Sequence, residues 1–133
     1  TGYGKMATTA PYSNIDHSFD TVELAQAAGA SFVARTTTYH IRQLIDIVEK
    51  AIRHKGFSVV EILSQCPTYY GRRNKAGDAP TMVDFYKGAT TSIGSKATAE
   101  NPDLIERGIF VEADLPEYCT EYETIIATAT KGN

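Results

Sequence analysis

Cysteine is scarce in this chain: Cys66 and Cys119 are the only two among 133 residues. They lie far apart, and neither belongs to a CxxC pair, which argues against a small secreted disulfide scaffold. No apolar leader follows Thr1-Gly2-Tyr3-Gly4-Lys5, so a reducing, cytoplasmic setting is expected. Met is missing from the first position, and the expectation is a chain cut from, or beginning inside, a longer protein. No apolar run is long enough to span a bilayer. Nor is there an excess of positive charge: a net charge of -3 and a pI near 5.6 argue against nucleic acid as the main partner. GxSxG, HExxH and internal repeats are absent, and His17, His40 and His54 have no ligand-like spacing.

What the chain does contain is 42% apolar residues, enough for one domain with one modest core. Residues 1–18 read as loop, rich in Gly, Thr, Pro and Asn. Asp20, three residues before Glu23, predicts a capped helix from Thr21 to Ala28 that stops at Gly29. Ser31 to Arg35 reads as a strand. Thr37 or Thr38 would cap the next helix, in which Ile41, Leu44, Ile45, Val48 and Ile52 recur at helical spacing opposite Arg42, Asp46, Glu49, Lys50 and Arg53. Gly56 ends it, and the apolar run Phe57 to Leu63 suits a strand covered on both faces. Together these predict one right-handed βαβ unit of a doubly wound α/β sheet. Beyond it, Ser64 to Gly77 reads as loop and Ala79 to Lys87 as a short helix. Thr90 to Asp103 reads as an exposed, mobile segment, Ile109 to Glu112 as an edge strand, and Pro116 to Thr130 as a last helix with Tyr118, Tyr122, Ile125 and Ala129 on one stripe.

Ligands of open α/β sheets bind beyond the carboxyl ends of the strands. That rule selects Thr36 to His40 and Ser64 to Lys75. Cys66 stands in the second loop before Pro67, a pairing common where a thiolate holds an iron–sulfur cluster. A buried, inert thiol is the bland alternative. Arg72, Arg73 and Lys75 form a positive patch that suits an anionic substrate, coenzyme phosphates or an acidic redox partner, if it is more than a solvated loop. His40, at a helix start, is a site residue or a satisfied capping residue. Gly2, Gly4, Thr8 and Thr9 could wrap a phosphate, although their spacing matches neither a Walker loop nor GxGxxG.

Three blocks, SFVARTTTYHIRQL, HKGFSVVEILSQCPTYYGRRNK and IERGIFVE, resemble the beta subunits of 2-oxoacid:ferredoxin oxidoreductases. The likeness runs most clearly from Phe19 to Lys75, and CPTYYGRRNK is its most specific part. The 2-oxoglutarate type is the nearest branch, with pyruvate and branched-chain 2-oxoacid types open. The resemblance implies a mostly parallel thiamine-diphosphate-binding fold (residues 1–75) with a helical carboxyl-terminal extension (residues 76–133).

It also implies an enzyme that decarboxylates a 2-oxoacid with thiamine diphosphate and Mg²⁺, passes electrons through a [4Fe–4S] cluster to ferredoxin, delivers the acyl group to coenzyme A, and works with an alpha subunit. Cys66 would be one cluster ligand, its companions lying outside this chain, and Cys119 would be structural. The family's GDG motif is missing. The TGGQ that usually follows it is matched only at Thr1 and Gly2, with departures at Tyr3, Gly4 and Lys5. Thr1, Gly2, Thr8 and Thr9 are thereby expected near the thiamine diphosphate, and the chain alone is expected to be inactive. Two other readings stay open: a docking module for ferredoxin or a sister subunit, with Arg72, Arg73 and Lys75 as the contact, and a thiamine-diphosphate enzyme without clusters.

Overall fold

Alternation along one strand decides which helix covers which face of the sheet. In the computed structural model, which describes residues 2–131, β1 (Phe32–Thr37) is buried at every position. Successive strand side chains point to opposite faces. Val33 packs with Val22, Ala25 and Ala30 beneath α1 (Thr21–Ala27), while Phe32 and Ala34 pack with Ile47 of α2 (Ile41–Arg53). A helix on each face is the doubly wound arrangement read from the sequence. α2 connects β1 to β2 (Ser58–Leu63), which lies parallel to β1 with Phe32 opposite Ser58 and Thr37 opposite Leu63. α1 starts as expected: the Asp20 carboxylate accepts from the N–H groups of Val22 and Glu23.

Several expectations are corrected. β1 continues through the threonines to Thr37, so His40, not Thr37 or Thr38, takes the cap position of α2. The Thr37 hydroxyl accepts from the N–H groups of Tyr39 and His40 and turns the chain before the helix. α2 buries the line of Ile47 flanked by Leu44, Val48 and Ala51, whereas Ile41, Ile45 and Ile52 are exposed. Its apolar surface is wider than the strip that meets the sheet. β2 is only partly buried because it is an edge, and β1 is the strand covered on both faces.

The predicted edge strand is instead an interior one. β4 (Ile105–Glu112) lies antiparallel to β1 on one side and parallel to β3 (Thr90–Ser92) on the other, giving the order β2-β1-β4-β3. Two of the three pairings are parallel. The segment 90–103, expected to be exposed, thus contributes a strand with Thr90 buried and a short helical turn at Ala97–Glu100. Gly108 of β4 has φ +141, and a Cβ there would stand 2.9 Å from Ile93 Cγ2, so only glycine admits this close approach. Helix α4 (Ala79–Ala89) is capped by Asp78. Helix α6 (Tyr118–Lys131; the intervening turns at Arg72–Asn74 and Ala97–Glu100 count as α3 and α5) starts two residues after Pro116 and buries none of its residues. On its stripe the rings of Tyr118 and Tyr122 stack at 5.8 Å. Among the described residues no helix is long and apolar enough to cross a membrane.

Candidate functional site

The stretch after β2, read as loop, is a helical turn of π type at Pro67–Gly71 running into α3 (Arg72–Asn74). Pro67 opens it at a position where the missing N–H has no partner to lose. The Gly71 N–H donates to the Cys66 carbonyl at 2.8 Å. Gly71 is buried against α4, and a Cβ there would come within 2.7 Å of Met82 Sδ. Lys75, in the left-handed region at φ 52, ends the run. Cys66 occupies the cap position and is exposed in this chain. No tight side-chain capping bond forms. The backbone N–H groups of Tyr70, then Tyr69 and Thr68, nevertheless face the sulfur and draw its pKa below the ordinary thiol value.

Cys66 lines a cleft of about 950 Å³. Gly2 and Lys5 reach it from the amino-terminal segment, Arg35 from β1, Glu61 and Leu63 from β2, Tyr70 and Asn74 from the helical turn, and Met82, Phe85 and Tyr86 from α4. The amino-terminal segment is held there by Asn74. Its Oδ1 accepts from the Met6 N–H at 2.9 Å, and its Nδ2 donates to the Met6 carbonyl at 2.9 Å and to the Tyr70 carbonyl at 3.0 Å. Arg35 is buried and donates to Asp20 at 2.6 Å and to Glu61. Burial pulls the Asp20 carboxyl up, but the bond from Arg35 and the N–H groups of Glu23 and Val22 outweigh it, and the net shift is downward. Burial likewise works against the Arg35 charge, and its two carboxylate partners more than restore it.

Of the residues singled out from sequence, the fold brings Cys66 and Gly2 to one cleft. Thr1 lies outside the described residues. Thr8 and Thr9 are exposed at a tight turn closed by an Ala7–Ala10 bridge and do not line the cleft. Arg72, Arg73 and Lys75 are exposed on the helical turn and also lie outside its lining. His40 stands at the start of α2, hydrogen-bonded through Nδ1 to the Thr37 hydroxyl at 2.8 Å. Burial, with the charge of Arg107, lowers its pKa. Arg107 in turn donates to Gln43 Oε1 at 2.8 Å, so this end of β1 carries a separate polar cluster. Cys119 is exposed in α6, which buries none of its described residues.

Sequence reading missed Arg35, Glu61 and Asn74 and saw Asp20 only as a cap. The signal for the first two was present, as opposite charges two positions from the ends of neighbouring strands, but it becomes a pair only in the observed register, Arg35 opposite Glu61. Among the described residues no group of three or more His, Cys, Asp or Glu side chains could hold a metal ion.

The family of thiamine pyrophosphate enzymes, C-terminal TPP binding domain, matches residues 1–62. The 2-oxoglutarate synthase subunit KorB of Methanocaldococcus jannaschii is 40% identical over 129 residues, covering 95% of this chain and 48% of that subunit. KorB of Methanothermobacter marburgensis is 42% identical over 121 residues, covering 87% of this chain and 42% of that subunit. The beta subunit of a 2-oxoacid:ferredoxin oxidoreductase from Saccharolobus solfataricus is 38% identical over 66 residues, covering 50% of this chain and 22% of the subunit. A solved 2-oxoglutarate:ferredoxin oxidoreductase from Magnetococcus marinus, with 2-oxoglutarate, coenzyme A and succinyl-CoA bound, shares the fold at TM-score 0.76 and 21% identity, covering 98% of this chain and 46% of that one. The chain spans about half the length of the curated KorB relatives it matches. These likenesses bear out the resemblance carried by CPTYYGRRNK, with the 2-oxoglutarate branch favoured.

Proposed function

We propose that this chain, similar along nearly its whole length to beta subunits of 2-oxoacid:ferredoxin oxidoreductases, forms the part of such a subunit that supplies a cluster thiolate and one wall of the thiamine diphosphate site. Residues 1–75 are the carboxyl-terminal part of the cofactor-binding domain and residues 76–133 its extension. The whole enzyme oxidatively decarboxylates a 2-oxoacid, 2-oxoglutarate being favoured, to an acyl-CoA, with an alpha subunit as partner and ferredoxin as electron acceptor. When bound, thiamine diphosphate with Mg²⁺ supplies the carbanion chemistry and a [4Fe–4S] cluster the electron transfer.

The observation that carries the reading is the shared cleft. Gly2, at the edge of the family-matched segment, and Cys66, of the most family-specific block, line the same space. Cys66 fits one ligand position of the cluster, and among the described residues no group completes the set. A ligating cysteine must be a thiolate, and the N–H groups of Tyr70, Tyr69 and Thr68 favour that form at an exposed sulfur. N–H groups directed at a ligand sulfur also tune the metal site. Asn74 keeps the amino-terminal segment against the Cys66 turn, so one side chain couples the two cofactor regions.

The test is Cys66→Ala in the full-length subunit, assembled with its alpha partner and purified without oxygen. Iron content and the cluster's electron paramagnetic resonance signal should fall. Ferredoxin reduction driven by 2-oxoglutarate and coenzyme A should drop by at least about 10- to 100-fold, the range set by mere outer-shell changes at metal sites. Full iron content with an unchanged signal would overturn the ligand assignment.

A further inference from the structure

Helix α6 is exposed at every position from Tyr118 to Lys131 and buries none of its residues. A helix of 14 residues is marginal in water unless one of its faces is packed. Its side chains fall into two sets. Thr124, Thr128 and Thr130 donate their hydroxyls to carbonyls of their own helix, those of Thr120, Thr124 and Ile126, and need no partner. Tyr118, Tyr122 and Ile125 are 74%, 50% and 61% exposed, and the two rings stack on each other at 5.8 Å. Tyrosine is over-represented where proteins meet.

Tyr118, Tyr122, Ile125 and Ala129 are spaced four, three and four residues apart, the alternation of a coiled-coil seam. Taken from its two ends, the seam is complementary to itself. In an antiparallel pair of α6 helices, Tyr118 of one copy lies level with Ala129 of the other, so a large side chain meets the smallest of the seam. Tyr122 lies level with Ile125. Charge selects the same orientation. Glu117, Glu121 and Glu123 stand in the amino-terminal part, and Lys131 stands at the carboxyl end. An antiparallel pair brings Lys131 of each copy beside Glu117 of the other. It also sets the positive amino end of each helix beside the negative carboxyl end of its neighbour. A parallel pair would set acid beside acid, which is repulsive.

We propose that α6 pairs antiparallel with α6 of a second copy of this chain, through Tyr118, Tyr122, Ile125 and Ala129. The pairing is a property of this surface and does not depend on the reading of Cys66. A seam of about two heptads is short for a stable interface, so the contact is read by proximity rather than by mass.

The experiment is cross-linking in the full-length subunit assembled with its alpha partner, with Cys119→Ser removing the native thiol of α6. Two differently tagged copies are co-expressed, one carrying Tyr118→Cys and the other Ala129→Cys, and are treated with a short bismaleimide without oxygen. Chains joined between positions 118 and 129 are expected, located by peptide mass spectrometry. Tyr118→Cys alone should not join to itself, because antiparallel copies hold these two sites about 16 Å apart along the axis. Ile125→Asp in both copies should abolish the joined product. Ferredoxin reduction should be unchanged by it, since this side chain is exposed in the chain. Joining of Tyr118→Cys to itself would mean a parallel pair and overturn the proposal. A product with the alpha subunit alone would overturn it by making that subunit the occupant. The absence of any joined pair would do so by leaving the face covered within its own subunit. A product that survives Ile125→Asp would show collision instead of pairing, and would overturn it as well.

Discussion

The two cysteines are both exposed, and their neighbours push them in opposite directions. At Cys66 the N–H groups of Tyr70, Tyr69 and Thr68 favour the thiolate. At Cys119 the hydrogen bond to the Glu117 carboxylate, and then its charge, push the pKa up. Only the thiolate attacks an alkylating agent, so the group with the lower pKa reacts first at a given pH. In cluster-free protein near about pH 8, iodoacetamide should modify Cys66 several-fold faster than Cys119, and Glu117→Gln should accelerate Cys119. Peptide mass spectrometry over time gives both rates; equal rates would mean that the backbone around Cys66 does not favour its thiolate. Cysteine-proline was legible as a candidate in the sequence. The N–H groups behind it were not, because they belong to a helical turn that the Pro, Gly and basic residues of this stretch disguised as loop.

Elements were legible where one local rule dominated and misread where neighbours competed. The carboxylate of Asp20 capped α1 as read, since a cap needs only residues two and three positions away. The start of α2 was misplaced because Thr36 and Thr37 were claimed by the sheet. Asn74 shows the limit of local reading: its bonds to Met6 join residues 68 apart in sequence. Asn74→Ala leaves the Met6 N–H and carbonyl without these partners, at a cost of about 1–3 kcal/mol if they stay buried. Hydrogen exchange at the Met6 amide in the full-length subunit should speed up, with α1 and β1 unaffected. Unchanged protection at Met6 would show that the amino-terminal segment is held by other contacts.

Across the whole molecule, the cleft and the basic patch are separate surfaces. Arg72, Arg73 and Lys75 stand exposed beside the Cys66 turn but outside the cleft, a placement that favours contact with an acidic protein over capture of a substrate in the cleft. Arg72→Glu with Arg73→Glu should therefore raise the ferredoxin concentration needed for half-maximal reduction on the order of 10-fold at low ionic strength, less at high salt. Decarboxylation of the 2-oxoacid with an artificial acceptor should be preserved. Loss of both activities together would place the patch in substrate binding or in the fold. The sheet order belongs to this scale as well: β4 enters between β1 and β3, so the extension supplies two of the four strands.

By itself the sequence determined the α/β class, the unit from β1 to β2, the cap at Asp20, the candidacy of Cys66 and the family likeness. These depend on periodicity, on short-range capping and on motifs written in consecutive residues. Tertiary structure alone decided that β4 is interior, that Arg35 meets Asp20 and Glu61, that Asn74 holds Met6, and that Gly2 and Cys66 line one cleft. Each of these requires a strand register or a long-range packing choice, and neither leaves a local pattern in the chain.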